Sequence, residues 1–487
     1  RAVSTNKAPG AVRAPHTASA ETPPAGIAFV PIPYVRAQHP HAYWTLERVA
    51  QALHTGPCAA HSLSGVSTDT RTIGTGDLFV ALVGENFDGH NFLQAAKENG
   101  AAAFVVSNAL AAAGLGLPTF VVDDTLVALG NLATVWRRVW GGPIIAVAGS
   151  NGKTSTKDML RAALGSAFTV HATAGNFNNL VGVPLTLLAL PPHAEIAIVE
   201  IGTNAHGEVA ALRAIAEPDM ALLTSIGEEH LEGLGDLAGV LREETDIFHH
   251  VDVAIVPTAY PDVEPIALAR ANHVVTAGLA SGDVQPTTWG LAEDGTGWLT
   301  YNGIMIRLAL RGAHQVANAM LVLAAVEACS VPLEAAAEAL RTMPVPNMRG
   351  VWEPLGDAIL INDAYNANPA SARAAIELLN SVGEGRQRVA VLGSMRELGA
   401  QADVQHDEVA RAAIASKASL IAAVGDFAAA FSRVAPNDAR VVLAPAFEDL
   451  WPRLEPRLDR DAVILLKASR GAKMERLVPF LTAWARP

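Results

Sequence analysis

Ile144-Ile145-Ala146-Val147-Ala148-Gly149-Ser150-Asn151-Gly152-Lys153-Thr154-Ser155 is an apolar run followed by a glycine turn, a lysine and two hydroxyls. The unbroken apolar residues Ile144 to Ala148 read as a buried strand, and Thr156 to Leu164 sets Met159, Leu160, Ala163 and Leu164 at helical spacing. Between them, Gly149 and Gly152 let backbone N–H groups curl around an anion, with the positive end of the helix facing it. Gly149, Ser150, Asn151, Gly152, Lys153, Thr154 and Ser155 thus read as a phosphate-binding loop for a nucleotide. Lys153 would reach the β- and γ-phosphates, and Thr154 a magnesium ion. The competing reading is an ordinary strand-to-helix turn, and the strand and helix patterns on either side speak against it. The usual triphosphate loop would place its first glycine at Val147, so this is a shortened variant.

At 487 residues the chain exceeds one core, and the usual domain size of about 100 to 200 residues suggests three units. A net charge of −13 and the lack of basic runs argue against a nucleic-acid partner, which would require clustered lysine and arginine. Small-molecule substrates fit better. Cys58 and Cys329 lie far apart and make no disulfide or metal pattern, which suits buried thiols in a reducing cytoplasm. No stretch approaches the roughly 18 to 20 uninterrupted apolar residues that would span a bilayer, so membrane insertion is not expected. Residues 1–42, rich in Ala, Pro, Thr and Ser, read as a disordered leader. A folded cap from Ile27 to Val35 is opposed by Pro31 and Pro33.

The fold class expected is α/β in three domains, at 43–141, 142–344 and 345–487. In the first, a helix carrying Leu46, Val49, Ala50 and Leu53 leads to strands at Gly76–Leu82, Ala102–Val106 and Thr119–Val122. Gly141-Gly142-Pro143 reads as a hinge and Pro344-Val345-Pro346 as a linker. Short apolar strands at Ile144–Ala148, Ile196–Val199, Ala221–Thr224 and Val253–Val256 alternate with helices, implying a mostly parallel sheet with loops carrying chemistry at the strand ends. Strands at Ala358–Ile361, Val389–Leu392, Leu420–Val424 and Ala462–Leu466 make the third unit a second doubly wound, Rossmann-like domain.

Glu200 ends the strand from Ile196, and His230 follows a strand and a turn. Either alone would be an ordinary solvated or hydrogen-bonded side chain. Behind a phosphate loop they read as catalytic and metal-binding groups, because phosphoryl transfer needs hard ligands to neutralise charge. The loop Thr173 to Pro184, with Asn176, Asn178 and Asn179, could contact a ligand through its amides or be a plain turn, and composition leaves both open. The same holds for Asp363 to Pro369, with Tyr365, Asn366 and Asn368, which should face the domain boundary.

Taken together, the Gly-Ser-Asn-Gly-Lys-Thr loop, Gly175 to Pro184, Glu200, His230 and Asp363 to Pro369 resemble the ATP-dependent Mur ligases of peptidoglycan synthesis, over about residues 44 to 487. Ser67 to Arg71, Gly84 to His90, Asn176 to Asn179 and Tyr365 to Pro369 resemble the versions in the member that joins D-alanyl-D-alanine to UDP-N-acetylmuramoyl-tripeptide. The Asp-Asn-Pro-Arg motif usual in the ligase that adds the third residue does not occur. The resemblance implies a cytoplasmic, monomeric ligase that uses ATP and Mg2+ and proceeds through an acyl phosphate. It also implies a UDP-binding first domain with Ser67, Asp69 and Arg71, and a central P-loop ATPase-like domain with Lys153, Glu200 and His230 as its catalytic residues. Asn318, Arg349 and Asp363 would lie at the nucleotide, Thr154, Glu200 and His230 at the metal, and Ser469, in Lys467-Ala468-Ser469-Arg470, near the amine substrate.

Several positions depart from the family. Many Mur ligases carry a carbamoylated lysine four residues before a phenylalanine, where it helps hold a second magnesium, and counting back from Phe248 that position is Glu244. Either Glu244 supplies the carboxylate itself, with metal contact through water, or it is a solvated residue of the charged run Arg242-Glu243-Glu244. Gln315, Ser394 and Ala468 stand where asparagine, aspartate and glycine are common.

Overall fold

The computed structural model describes residues 43–56, 58, 60–345 and 350–486. The expected leader and Arg349 lie outside the described residues.

Three α/β units follow one another. The first is a four-stranded parallel sheet of Val66–Ser67, Leu78–Val80, Ala103–Val106 and Thr119–Val121, in chain order. Its closing helix, Thr125–Trp140, starts where the Asp124 carboxylate accepts from the N–H groups of Leu126 and Val127. Arg137 on that helix is buried, reaches Asp219 at 2.9 Å, and donates to the carbonyls of Gly142 and Ala216. Asp219 in turn accepts from the N–H of Ile144 at 2.8 Å. The expected hinge at Gly141-Gly142-Pro143 is therefore pinned on both sides to the next unit.

The central unit is a six-stranded, all-parallel sheet. Its order is His273–Ala277, Val253–Pro257, Met220–Leu223, Ile144–Ala148, Ile196–Glu200, Val170–Ala172. Helices cover both faces, which is why its main strands are apolar throughout rather than alternating. The chain leaves Ile144–Ala148 for one side of the sheet and later returns on the other. That reversal opens a crevice at the strand's carboxyl end, the usual place for ligands in such sheets. Twelve residues of the helix Ala313–Ala328 are buried, so its sequence is apolar nearly all round, and it packs on the phosphate-loop helix Lys153–Leu164. A three-stranded antiparallel sheet, Thr288–Leu291, Thr296–Tyr301 and Ile304–Arg311, was not among the expected elements.

The third unit is a six-stranded sheet ordered Val351–Leu355, Ala358–Asp363, Val463–Lys467, Arg388–Leu392, Leu420–Val424, Val441–Ala444. Only its first pair is antiparallel. The carboxyl ends of Ala358–Asp363 and Val463–Lys467 face the phosphate loop. Among the described residues no helix is long and apolar enough to cross a membrane.

Candidate active site

The phosphate loop is shaped by two close approaches. Gly149 has φ +117°, and a Cβ there would lie 2.3 Å from Thr224 Oγ1 and 2.8 Å from two backbone nitrogens. Gly152 has φ +86°, and a Cβ there would lie 2.7 Å from the amide nitrogen of Asn318. Only glycine accommodates both the left-handed backbone and the contact. The segment after Met220–Leu223 braces the loop from outside: Ser150 N–H donates to the Ser225 carbonyl at 2.9 Å, and Asn151 N–H to Ser225 Oγ at 2.8 Å. The helix Lys153–Leu164 has no side-chain cap at Gly152, so its leading N–H groups and dipole are available to an anion. Lys153 Nζ lies 2.5 Å from the Gly149 carbonyl and 3.6 Å from Glu229 Oε1.

Carboxylates gather around this turn. Glu200 is 1% exposed, and its Oε1 accepts the Thr154 hydroxyl at 3.2 Å and the Asn178 amide at 2.9 Å. Its Oε2 has no hydrogen-bond donor among the described residues. Glu244 is fully buried, with Oε2 accepting the Gly149 N–H at 2.7 Å and Oε1 likewise lacking a donor among the described residues. This overturns the reading of Glu244 as a solvated glutamate. The end of the helix Leu237–Glu244 is inserted beneath buried backbone N–H groups that need acceptors, and Glu243 serves Gly207 and Val209 in the same way. Burial pushes the Glu244 carboxyl up to about 7, opposed by the charge of Lys153 and assisted by that of Glu229. Burial also raises Glu229.

His230 sits at φ +50° with Nδ1 2.5 Å from Glu397 Oε2, a residue of the third unit. Burial alone would lower the imidazole, but the bond to Glu397 and the charge of Glu229 outweigh it, and its pKa is raised. The two units also meet where the Asn368 amide donates to Asn151 Oδ1 at 2.8 Å. Asp363 accepts from buried Lys467 at 2.7 Å.

Between the two units lies a cavity of about 790 Å³. Ser150 to Ser155, Asn176, Asn178, Asn179, Glu200, His230 and Asn318 line it from the central unit, and Asp363, Tyr365 and Asn366 from the third. Of the other expected residues, Asn368 spends its amide on Asn151 and caps the helix Pro369–Ser381. Ser469 is buried, donates to the Ala367 carbonyl and accepts from Arg396 N–H, so it shapes the neighbouring loop. Ser67, Asp69 and Arg71 lie in the first unit, where Asp69 and Arg71 pair with each other at 2.6 Å on the surface. Gln315 reaches Ser155 Oγ at 3.4 Å and accepts from Asn318, so it works within the loop's support. Ser394 accepts from Asp426 N–H.

Sequence reasoning gave no role to Glu229, Lys157 or His314. Glu229 adjoins His230, and Lys157 repeats Lys153 one helical turn on, signals that were present but unremarkable. His314 lines the cavity, and burial lowers its pKa.

No three His, Cys, Asp or Glu side chains among the described residues form a metal cluster of their own. Magnesium does not require one, since it binds through one or two carboxylates, substrate phosphates and water. Thr154 beside Glu200, whose buried Oε2 accepts no hydrogen bond among the described residues and lies 3.6 Å from the Lys157 ammonium, fits that donor set.

Three sequence families match the chain: "Mur ligase family, catalytic domain" over residues 62–136, "Mur ligase middle domain" over 147–326, and "Mur ligase, glutamate ligase domain" over 350–470. The UDP-N-acetylmuramoyl-tripeptide–D-alanyl-D-alanine ligase of Bacillus subtilis is 36% identical over 85% of this chain and 92% of its own length. That of Escherichia coli is 34% identical over 86% and 93%. The crystal structure of MurF from Acinetobacter baumannii superposes with a TM-score of 0.84 at 30% identity, covering 90% of this chain and 99% of the other.

Proposed function

The chain belongs to the Mur ligase family, and from that premise we propose that it joins D-alanyl-D-alanine to UDP-N-acetylmuramoyl-tripeptide with hydrolysis of ATP to ADP and phosphate. The observation that carries this reading is the cavity shared by the phosphate loop and the third unit's Asp363–Asn366 loop. One wall is built for a nucleotide's phosphates, and the other presents polar groups to a second reactant.

Amide formation from a carboxylate is uphill. The tripeptide's terminal carboxylate oxygen attacks the γ-phosphorus of ATP, the bond to the β-phosphate oxygen breaks, and an acyl phosphate and ADP form. The free amine of D-alanyl-D-alanine then attacks the acyl carbon, giving a tetrahedral intermediate. Collapse expels phosphate, and the proton lost by the amine leaves with it or with water. Lys153 and the leading N–H groups of Lys153–Leu164 stabilise charge on the transferred phosphoryl group. Most of the remaining effect comes from holding two substrates against each other in a site assembled from two units, out of contact with water.

In this reading Lys153, Glu200 and His230 are the catalytic group, and Asn318 and Asp363 flank the nucleotide. Thr154, Glu200 and His230 would hold magnesium, which would supply charge to neutralise the phosphates. Glu244, committed to Gly149 through one oxygen and set behind the cavity lining, would reach an ion with its second oxygen through water. Asn176, Asn178, Asn179, Tyr365 and Asn366 contact the peptide substrates, and Ser67, Asp69 and Arg71 the uridine nucleotide. The domains run 43–141, 142–344 and 345–487. We also read the protein as a monomer, and dependence on ATP suits the cytoplasm.

Phosphate release is the test. It should require both UDP-N-acetylmuramoyl-tripeptide and D-alanyl-D-alanine, and release that is independent of either substrate would reject the reading.

A further inference from the structure

Lys157 is a buried lysine that the reaction described above does not use. It lies on the helix Lys153–Leu164, its side chain 3% exposed, and it is not part of the cavity wall. Its ammonium group lies 3.6 Å from Glu200 Oε2 and 3.5 Å from Asp158 Oδ1, and donates to the Gly175 carbonyl at 3.3 Å. Removing an ammonium ion from water costs several kcal/mol unless close partners compensate, and none of these contacts is tight. Fold stability alone would be served as well by an apolar side chain of similar length.

The arrangement forms a closed circuit. From Gly175 the chain runs three residues to Asn178, whose amide donates to Glu200 Oε1 at 2.9 Å. The other oxygen of Glu200 faces Lys157, and Lys157 returns to Gly175. Glu200 Oε1 also takes the hydroxyl of Thr154, on the first turn of the phosphate helix. The Glu200 carboxylate therefore touches the nucleotide side through Thr154 and the asparagine loop through Asn178. Lys157 is the cation that holds its other oxygen and the base of the loop together. Among the described residues the Glu200 carboxylate, without Lys157, has only the Asn178 bond through which to reach the loop, because the other tie of Glu200 to it, to Thr173 Oγ1 at 2.9 Å, is made by the backbone N–H.

We propose that Lys157 is a positioning residue that couples nucleotide binding at the phosphate loop to acyl-donor binding at the asparagine loop. The proposal rests on the ligase reading above, because that reading names the acyl donor. It predicts that a nucleotide tightens acyl-donor binding, and that this tightening, rather than either affinity alone, depends on Lys157.

The test is a thermodynamic cycle on the full chain. Calorimetry measures UDP-N-acetylmuramoyl-tripeptide binding with and without a non-hydrolysable ATP analogue and magnesium, in the wild type, K157M and K157Q. Wild type should bind the tripeptide about tenfold more tightly with the nucleotide, within the usual range of site coupling. In K157M the factor should fall below about twofold, with the affinity for nucleotide alone unchanged within that margin. K157Q keeps a donor for Gly175 but no charge for Glu200, so its factor should lie between the two. A wild-type factor in K157M, or in K157Q should K157M not fold, overturns the proposal. So do equal losses of both affinities with the factor intact, which would mark a merely structural lysine. Absence of tripeptide binding in the wild type itself would instead reject the ligase reading and the proposal with it. Binding without coupling in the wild type would reject the proposal alone.

Discussion

At Glu244 the chain holds a fully buried carboxyl group, one oxygen of which is fixed to the first N–H of the phosphate loop. An unfolded glutamate titrates near 4.5, whereas this one is raised to about 7, so the folded chain binds the proton more tightly. The stability this group contributes is full below the unfolded value and is lost as pH rises through about 7. Glu244→Gln keeps the acceptor for Gly149 and removes the titration. Denaturant melts in a chelating buffer should show the variant losing less stability than wild type from about pH 5 to 8, by a few kcal/mol at most. Parallel slopes would contradict the burial argument, and an unchanged magnesium requirement in turnover would remove Glu244 from the metal-binding set. In the sequence its neighbours Arg242 and Glu243 suggested a solvated face. Nothing local announces that buried N–H groups from remote segments will demand acceptors there.

The element on which the site depends is the turn joining Ile144–Ala148 to Lys153–Leu164. A methyl group at Gly149 would need to occupy space 2.3 Å from Thr224 Oγ1, on a backbone with φ +117°. Gly149→Ala should cost about 2 kcal/mol or more in chemical denaturation and abolish measurable nucleotide binding. Wild-type affinity would show that the loop can yield. This element was readable from the sequence because an unbroken apolar strand and a helical stripe flank two glycines. The antiparallel strand Ile304–Arg311 carried its signal too, in the alternation of Ile304, Ile306, Leu308 and Leu310 and in the Asn302-Gly303 turn ahead of it, but a hairpin does not belong to the strand-helix alternation by which the rest of the unit is read. Val170–Ala172 is only three residues long and half-buried, too short for any periodicity to register. Asn151 and Asn368 are both plain loop asparagines in sequence, and their pairing 217 residues apart exists only once the units meet.

For the molecule as a whole, the site depends on contact between the central and third units. Glu397 reaches His230 across that boundary, and the Asn368–Asn151 bond ties the third unit to the phosphate loop itself. Glu397→Gln weakens the seam without touching the phosphate loop. An acyl phosphate exposed to water hydrolyses, so the variant should release more phosphate than it forms amide product, whereas wild type should keep the two equal. An equal ratio in the variant would show that the seam does not guard the intermediate. The first boundary behaves differently. Arg137 clamps the first unit to Asp219, Gly142 and Ala216, so residues 141–143 do not offer the slack their glycines suggested. These contacts thus fix the first unit to the central one. Under the proposed reading, the seat of the uridine nucleotide and the phosphate loop would therefore behave as one fixed anvil, with the amine's side of the cavity as the part left to close on it.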